Sequence, residues 1–290
     1  MTNGKHFKLL FFLVLFLFSA CDASDHLPEK KPLTDAEKID NIEWKVKEIR
    51  EGIRLKTTTL NLFDSPQAIF MVEIDTAKAD VNYHVGMPEV LATTSSQAVL
   101  QNAVVAINGS YFNMQQGYSR HFVKIDSAVL ARTEENEFST RATGVFKVTK
   151  NRIDIASWNK EKENQDAGNA EHAVVSGPLV IDDGNNMDMW NNAFVHDRHP
   201  RSFAAFSKGC LLLVAIDGRA PERAAGMSLT EVRIFARGLG CTDVINLDGG
   251  GSTTLYVKGE KGNGIVNVPS DGTERPVKSI VYVTAEGNGQ

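Results

Sequence analysis

The stretch from Cys210 to Thr254 constrains the fold more than any other, because two apolar runs flank a segment that carries both helix-start and helix-stop signals. CLLLVAI, from Cys210 to Ile216, is continuously apolar, and DVINLD, ending at Asp248, alternates and is rich in β-branched residues. Both patterns predict strands. Between them SLTEVRIFARGLG pairs Ser228 with Glu231 in a capping box and repeats Leu229, Val232, Phe235, Ala236 and Leu239 at helical spacing. Gly238 or Gly240 can close that helix. Strand, helix and apolar strand in this order are the pattern of parallel strands joined by a right-handed crossover.

Each run ends in an Asp followed by Gly, so Asp217 and Asp248 are expected at the same edge of one sheet, at carboxyl ends where open sheets bind ligands. The backbones would be roughly 5 Å apart for adjacent strands, or about twice that with one strand between. Either separation suits paired carboxylates. After Asp248 come Gly249, Gly250 and Gly251, then Ser252 and Thr253. Glycines let backbone N–H groups converge on an anion and approach a ligand closely. The competing interpretation is a tight turn, which glycine also serves.

Seven pieces together carry a resemblance: INGSYFN (Ile107 to Asn113), SGPLVIDDG (Ser176 to Gly184), HPRS (His199 to Ser202), VAIDGR (Val214 to Arg219), GMSLTE (Gly226 to Glu231), NLDGGGSTT (Asn246 to Thr254) and PSDGTERPV (Pro269 to Val277). In that order they resemble the phosphodiester glycosidase family, over about Ile107 to Val283. Members often have Gly-Phe where this chain has Ser110 and Tyr111, Thr-Ala where it has Ser202 and Phe203, and Asn where it has Ser279. The resemblance implies hydrolysis of a glycosyl 1-phosphodiester, with N-acetylglucosamine 1-phosphodiester among the substrates.

Such a substrate sets an acetal carbon beside an anionic phosphate leaving group, which needs charge stabilisation. Arg201, Arg219 and Arg275 are the expected suppliers, since guanidinium pairs with phosphate through a planar fork of donors. Asp217, Asp248 and Glu274 are candidates for steadying oxocarbenium character or activating water. Asp217, Asp248, Arg201 and Glu274 form the expected catalytic set. Asn108, Gly109, Tyr111, His199, Arg219, Gly249, Gly250, Gly251, Ser252, Thr253 and Arg275 form the expected substrate-binding set. Competing interpretations accompany several of these. Arg201 and Arg275 could be surface ion-pair partners, Asn108-Gly109 could be a hairpin turn, and His199, extended before Pro200, could shuttle a proton or only position a neighbour.

A metal has two places to sit, although neither has the usual spacing. His196, Asp197 and His199 lack zinc-site spacing. Asp182, Asp183 and Asp188 are oxygen-rich enough for calcium but lack EF-hand spacing.

The first residues set the expected location. Lys5, His6 and Lys8 precede the apolar run LLFFLVLFLF, which ends in Ser19, Ala20 and Cys21. That is a secretory signal, too short for a spanning helix. FSAC further resembles a bacterial lipobox, implying cleavage before Cys21 and a lipid anchor there. The expectation is export across the inner membrane and anchorage as a lipoprotein, facing the periplasm or the cell surface. Beyond Cys21, only Cys210 and Cys241 remain, read as buried free thiols, with one bridge between them the alternative in an oxidising compartment.

Residues 21–33 read as a tether and residues 34–52 as an N-terminal helix, with a Thr34–Glu37 capping box and Ile39, Ile42, Val46 and Ile49 on one face. Residues 53–287 then form the domain. KTTTLNLF, AIFMVEID, DVNYHVG and AVVAI are expected strands, Ser96 to Gln101 a short helix and Asn159 to Ala170 an exposed loop. The fold class is α+β, mixed β-sheets with few helices. Without the leader the chain carries 29 basic and 36 acidic residues and no basic stripe, which argues against nucleic acid. Two alternatives to the hydrolase remain, a metal-dependent phosphodiesterase and a non-catalytic envelope module that binds glycans.

Overall fold

The computed structural model describes residues 33–285, together with Met1. The signal peptide, Cys21 and nearly all of the tether lie outside the described residues. Among the described residues no helix is long and apolar enough to cross a membrane.

Among the described residues, seventeen strands are built into three sheets. The largest has eight strands, in the spatial order Lys45–Arg50, Ile53–Leu62, Ser65–Asp75, Cys210–Ile216, Arg201–Ser207, Cys241–Asn246, Leu179–Asp182 and Asn185–Asn186. A five-stranded sheet runs Ala128–Ala131, Val123–Ile125, His172–Ser176, Gly144–Thr149 and Arg152–Ser157. A four-stranded sheet runs Leu255–Val257, Val105–Asn108, Ile280–Ala285 and Val81–Gly86. With few helices beside them, the class is α+β, as the sequence leads one to expect.

The large sheet is covered on both faces, which explains why its central strands read as continuous apolar runs. Leu211, Leu213 and Ala215 point into a core shared with both smaller sheets, through Val105, Ile107, Phe146 and Val174. Their neighbours Leu212, Val214 and Ile216 point the other way, toward the helix Leu229–Gly238. That helix has the expected capping box, Ser228 with Glu231, and buries Leu229, Val232, Phe235 and Ala236. Each large side chain so buried contributes about 1.5–3 kcal/mol.

The crossover takes the wider of its two expected forms. Strand Arg201–Ser207 inserts between Cys210–Ile216 and Cys241–Asn246 and pairs antiparallel with both. The two flanking strands therefore run in the same direction without touching. Every pairing between the named strands is antiparallel.

One expected element is corrected. The N-terminal helix begins as expected, with Thr34 and Glu37 in a capping box, but spans only Asp35–Asp40. Lys45–Arg50 is instead an edge strand. Gly52, at φ 74°, turns the chain so that Lys45–Arg50 folds back on Ile53–Leu62. Only Ile39 is buried in the apolar face proposed for the longer helix, while Val46 is exposed. Within the expected loop at Asn159 to Ala170, Asn159 caps a short helix, Lys160–Asn164. Cys210 and Cys241 are free thiols, of which Cys241 is buried and Cys210 partly exposed.

Candidate active site

Asp248 leaves the end of strand Cys241–Asn246 and enters a cleft of about 450 Å³, lined also by Tyr111, Phe112, Asn113, Met114, Gln115, Arg120, Arg141 and Arg275. It is the one carboxylate in that lining, against three arginines. Burial pushes the Asp248 carboxyl up to about 6, against the opposing pull of Ser252, the Gly249 N–H, Arg275 and Arg141. The Gly249 N–H donates to Asp248 Oδ1 at 2.9 Å. Ser252 Oγ lies near enough to favour the charged form, yet makes no hydrogen bond of normal geometry.

The backbone of Asp248 is held by residues that the sequence marked for substrate. Asn108, wholly buried, donates through Nδ2 to the Asp248 carbonyl at 2.6 Å. Its Oδ1 accepts from the Ser202 hydroxyl at 2.7 Å and from the Thr254 N–H at 3.1 Å. Asn108 is thus engaged in joining three strand ends, and its burial keeps it from a sugar. The Asp248 N–H donates to the Gly109 carbonyl. Tyr111 turns its hydroxyl inward, donating to the Gly177 carbonyl at 2.9 Å and accepting from Asn246 Nδ2 at 2.8 Å. Its ring supports the Arg141 guanidinium, 4.9 Å from the ring centre. Burial and the neighbouring Asp248 charge push its hydroxyl proton affinity up, so Tyr111 stays neutral.

The three serines at positions that often differ in the family also hydrogen-bond inside this scaffold. Ser110 Oγ donates to the Val175 carbonyl, Ser202 to Asn108, and Ser279 Oγ accepts from the Ser110 N–H.

The other expected catalytic residues are placed differently. Asp217 is buried and committed: Oδ2 pairs with Arg223 at 2.8 Å, while Oδ1 accepts from the Val268 N–H at 3.0 Å and from Asn267 Nδ2 at 3.2 Å. It does not line the Asp248 cleft. Arg201 is also buried, and its Nε and Nη2 donate to the carbonyls of Met227, Phe194 and Asp197. Burial pulls it down to about 10, still charged at neutral pH, and its work is to tie down a loop. Glu274 accepts from the N–H and the hydroxyl of Ser95, both at 2.6 Å, at the start of helix Thr94–Leu100. The two-carboxylate expectation therefore reduces, within the cleft, to Asp248.

Of the expected phosphate partners, Arg275 is in the cleft lining. Its Nε and Nη2 both donate to Asp271 Oδ2, at 3.0 and 2.6 Å. Arg219 reaches Asp271 at 3.7 Å and is half exposed. This cluster lies directly on the glycine run: a Cβ on Gly251 would stand 2.1 Å from Arg275 Nη2. Gly250 has φ 61° and donates its N–H to the Pro200 carbonyl. The glycines thus serve close approach of side chains, and the N–H groups of Gly249 and Gly250 are spent within the fold rather than converging on an anion. Ser252 and Thr253 are buried, and their hydroxyls have no partner. His199 is partly exposed, its proton affinity lowered by burial and by the charges of Arg201 and Arg219.

Sequence reasoning missed Arg120, Arg141 and Glu137. Glu137 is buried and binds both arginines, and all three sit in polar runs with no motif around them. Among the described residues no group of three His, Cys, Asp or Glu side chains is placed to hold a metal. His196 instead bonds Asn191, and Asp183 donates its N–H to Asp243.

Comparison with known proteins agrees with this architecture. Mouse N-acetylglucosamine-1-phosphodiester alpha-N-acetylglucosaminidase is 25% identical over 199 residues, 62% of this chain and 36% of the mouse protein. The chain thus spans about a third of that relative's length. The zebrafish N-acetylglucosamine-1-phosphodiester alpha-N-acetylglucosaminidase catalytic domain, solved auto-inhibited by its pro-peptide, has a similar fold, with a TM-score of 0.65 and 18% identity over 84% of this chain and 88% of that one. A hypothetical protein from Synechocystis also reaches 0.65, at 16% identity over 85% of this chain and 64% of that one. The sequence model of the family described as phosphodiester glycosidase matches residues 101–284, more than half of the chain, and the chain belongs to that family.

Proposed function

We propose that this chain hydrolyses glycosyl 1-phosphodiesters at the carbon–oxygen bond of the sugar, with Asp248 acting at the anomeric carbon and Arg120, Arg141 and Arg275 receiving the phosphate. The carrying observation is the pairing of one carboxyl, raised by burial yet ionised at neutral pH, with three guanidinium groups in one cleft. A phosphodiester is anionic, so its departure is eased by positive charge more than by a proton donor. Asp248 as carboxylate takes a proton from water, the water oxygen bonds to the anomeric carbon, and the electron pair of the breaking bond passes to the phosphate oxygen. The products are a free reducing sugar and a phosphomonoester.

The name of the mouse relative supports N-acetylglucosamine as the sugar. The FSAC sequence before and at Cys21 supports a lipid-anchored enzyme of the cell envelope, acting on envelope glycosyl phosphodiesters.

Hydrolysis of an N-acetylglucosamine 1-phosphodiester in oxygen-18 water checks the bond. Label is expected in the released sugar. Label in the phosphate would instead mean phosphorus–oxygen cleavage and overturn the assignment. Turnover is expected to survive chelator.

The acid limb of the rate profile follows from the same carboxyl. A base must be ionised, and burial sets Asp248 at about 6. Accordingly kcat/KM is expected to fall about tenfold per unit below pH 6 and to level off above it. A flat profile from pH 4 to 7 would remove Asp248 as the base.

A further inference from the structure

Ser110, His121 and Glu137 form a chain that looks at first like a nucleophile relay. Ser110 Oγ is 2.9 Å from His121 Nδ1, and His121 Nε2 is 3.3 Å from Glu137 Oε2. The three are 2%, 0% and 1% exposed, and the Ser110 hydroxyl is committed to the Val175 carbonyl. No substrate can reach that oxygen, so the relay attacks nothing.

Its outer end points to a different role. Glu137 Oε1 accepts from Arg120 Nη1 at 3.0 Å and from Arg141 Nη2 at 2.6 Å, while Oε2 accepts from Arg141 Nε at 3.0 Å. One buried carboxylate therefore joins two arginines from separate segments, both of which line the Asp248 cleft. The Arg141 pairing is bidentate, which fixes the plane of the guanidinium as well as its position. These bonds leave Arg141 Nη1 and Arg120 Nε and Nη2 without a partner among the described residues, and so open to a ligand.

We infer that Glu137 is the positioning residue of the phosphate site, holding Arg120 and Arg141 as a fixed pair at the wall of the cleft, with His121 and Ser110 bracing it from behind. This rests on the proposed function, because it assigns the two arginines to the phosphate of that substrate. A fixed pair binds an anion without first having to order two long side chains, and long side chains otherwise lose rotamer freedom on binding.

Calorimetry on the full-length chain tests this, with inorganic phosphate as one probe and free N-acetylglucosamine as the other. Glu137→Gln is expected to weaken phosphate binding tenfold or more while sugar binding stays within about twofold. In turnover, kcat/KM for the phosphodiester is expected to fall by at least a similar factor, with kcat falling too, because the same arginines steady the departing phosphate. Glu137→Asp keeps the charge but is one methylene too short to reach both arginines, so it is expected to weaken phosphate about three- to tenfold. The aspartate variant alone decides the question if the glutamine variant does not fold. Equal losses for phosphate and sugar, or wild-type phosphate affinity in both variants, would overturn the positioning role and leave the proposed function standing. A wild-type protein that binds no phosphate would overturn both.

Discussion

Asp248→Asn is expected to lower kcat by about a hundredfold or more and, at neutral pH, to stabilise the fold. The first effect follows because the amide keeps the size of the carboxyl, and its oxygen can still accept from the Gly249 N–H, but it cannot take a proton from water. The second follows from linkage. The folded-state carboxyl sits at about 6, above its ordinary value of 3.8, so the folded protein holds this proton more tightly than the unfolded chain. Below about pH 4 both states are protonated and the group contributes nothing. As pH rises from 4 to 6 the unfolded chain ionises first and stability is lost, and above 6 the full cost is present. That cost is on the order of 1–3 kcal/mol. The asparagine variant should therefore melt above the wild type at pH 7.5, and the gap should close as pH approaches 4. Melting curves across that range, read beside kcat, check both parts. A variant with wild-type turnover would remove Asp248 from the mechanism. A variant less stable than the wild type at pH 7.5 would mean that its carboxylate is a structural ion.

Legibility in the sequence divided along the distinction between local and long-range order. The helix Leu229–Gly238 and its flanking strands were readable because capping box, period and apolar runs are local and agree with each other. Asp248 was readable for the same reason, as the acid where a strand meets three glycines. The N-terminal helix failed beyond Asp40 although Ile39, Ile42, Val46 and Ile49 keep helical spacing, because pairing of Lys45–Arg50 with Ile53–Leu62 across the Gly52 turn, which no local pattern shows, decided the outcome. Residue type alone misassigned Arg201 and Glu274. An arginine beside a motif looks like a phosphate ligand, but whether it faces the cleft or three backbone carbonyls is settled by two separate segments, one carrying Phe194 and Asp197 and the other Met227. Arg120, Arg141 and Glu137 were invisible for the converse reason. Their meaning comes from a cleft wall that only the folded chain assembles.

Asp217 is the residue for which sequence and structure imply opposite experiments. Read as one of a catalytic pair, it should behave as Asp248 does when replaced. Its bonds in the fold imply instead that Asp217→Ala loses stability first and activity second. The carboxylate accepts from Arg223, Asn267 and the Val268 N–H. Asn267 in turn accepts from the Leu255 N–H at 2.8 Å and donates to the Thr253 carbonyl at 3.1 Å, which holds the exit of the glycine run. Val268 leads into the loop that carries Asp271 and Arg275. Removing the acceptor strands a buried amide and a backbone N–H, each costing about 1–3 kcal/mol when left unsatisfied. Part of this is returned, since burial pushes the Asp217 carboxyl up and so makes its charge costly to hold. The half-exposed Arg223 regains water and adds little. The net expectation is a loss of about 2–3 kcal/mol, read as a lower urea midpoint at unchanged slope. Turnover at a temperature where the variant is folded should fall by much less than the hundredfold expected at Asp248, as Arg275 loosens. A stable Asp217→Ala protein without turnover would restore the catalytic pair. A destabilised protein that still turns over would leave Asp248 as the acting carboxylate and Asp217 as the anchor of the loop opposite it.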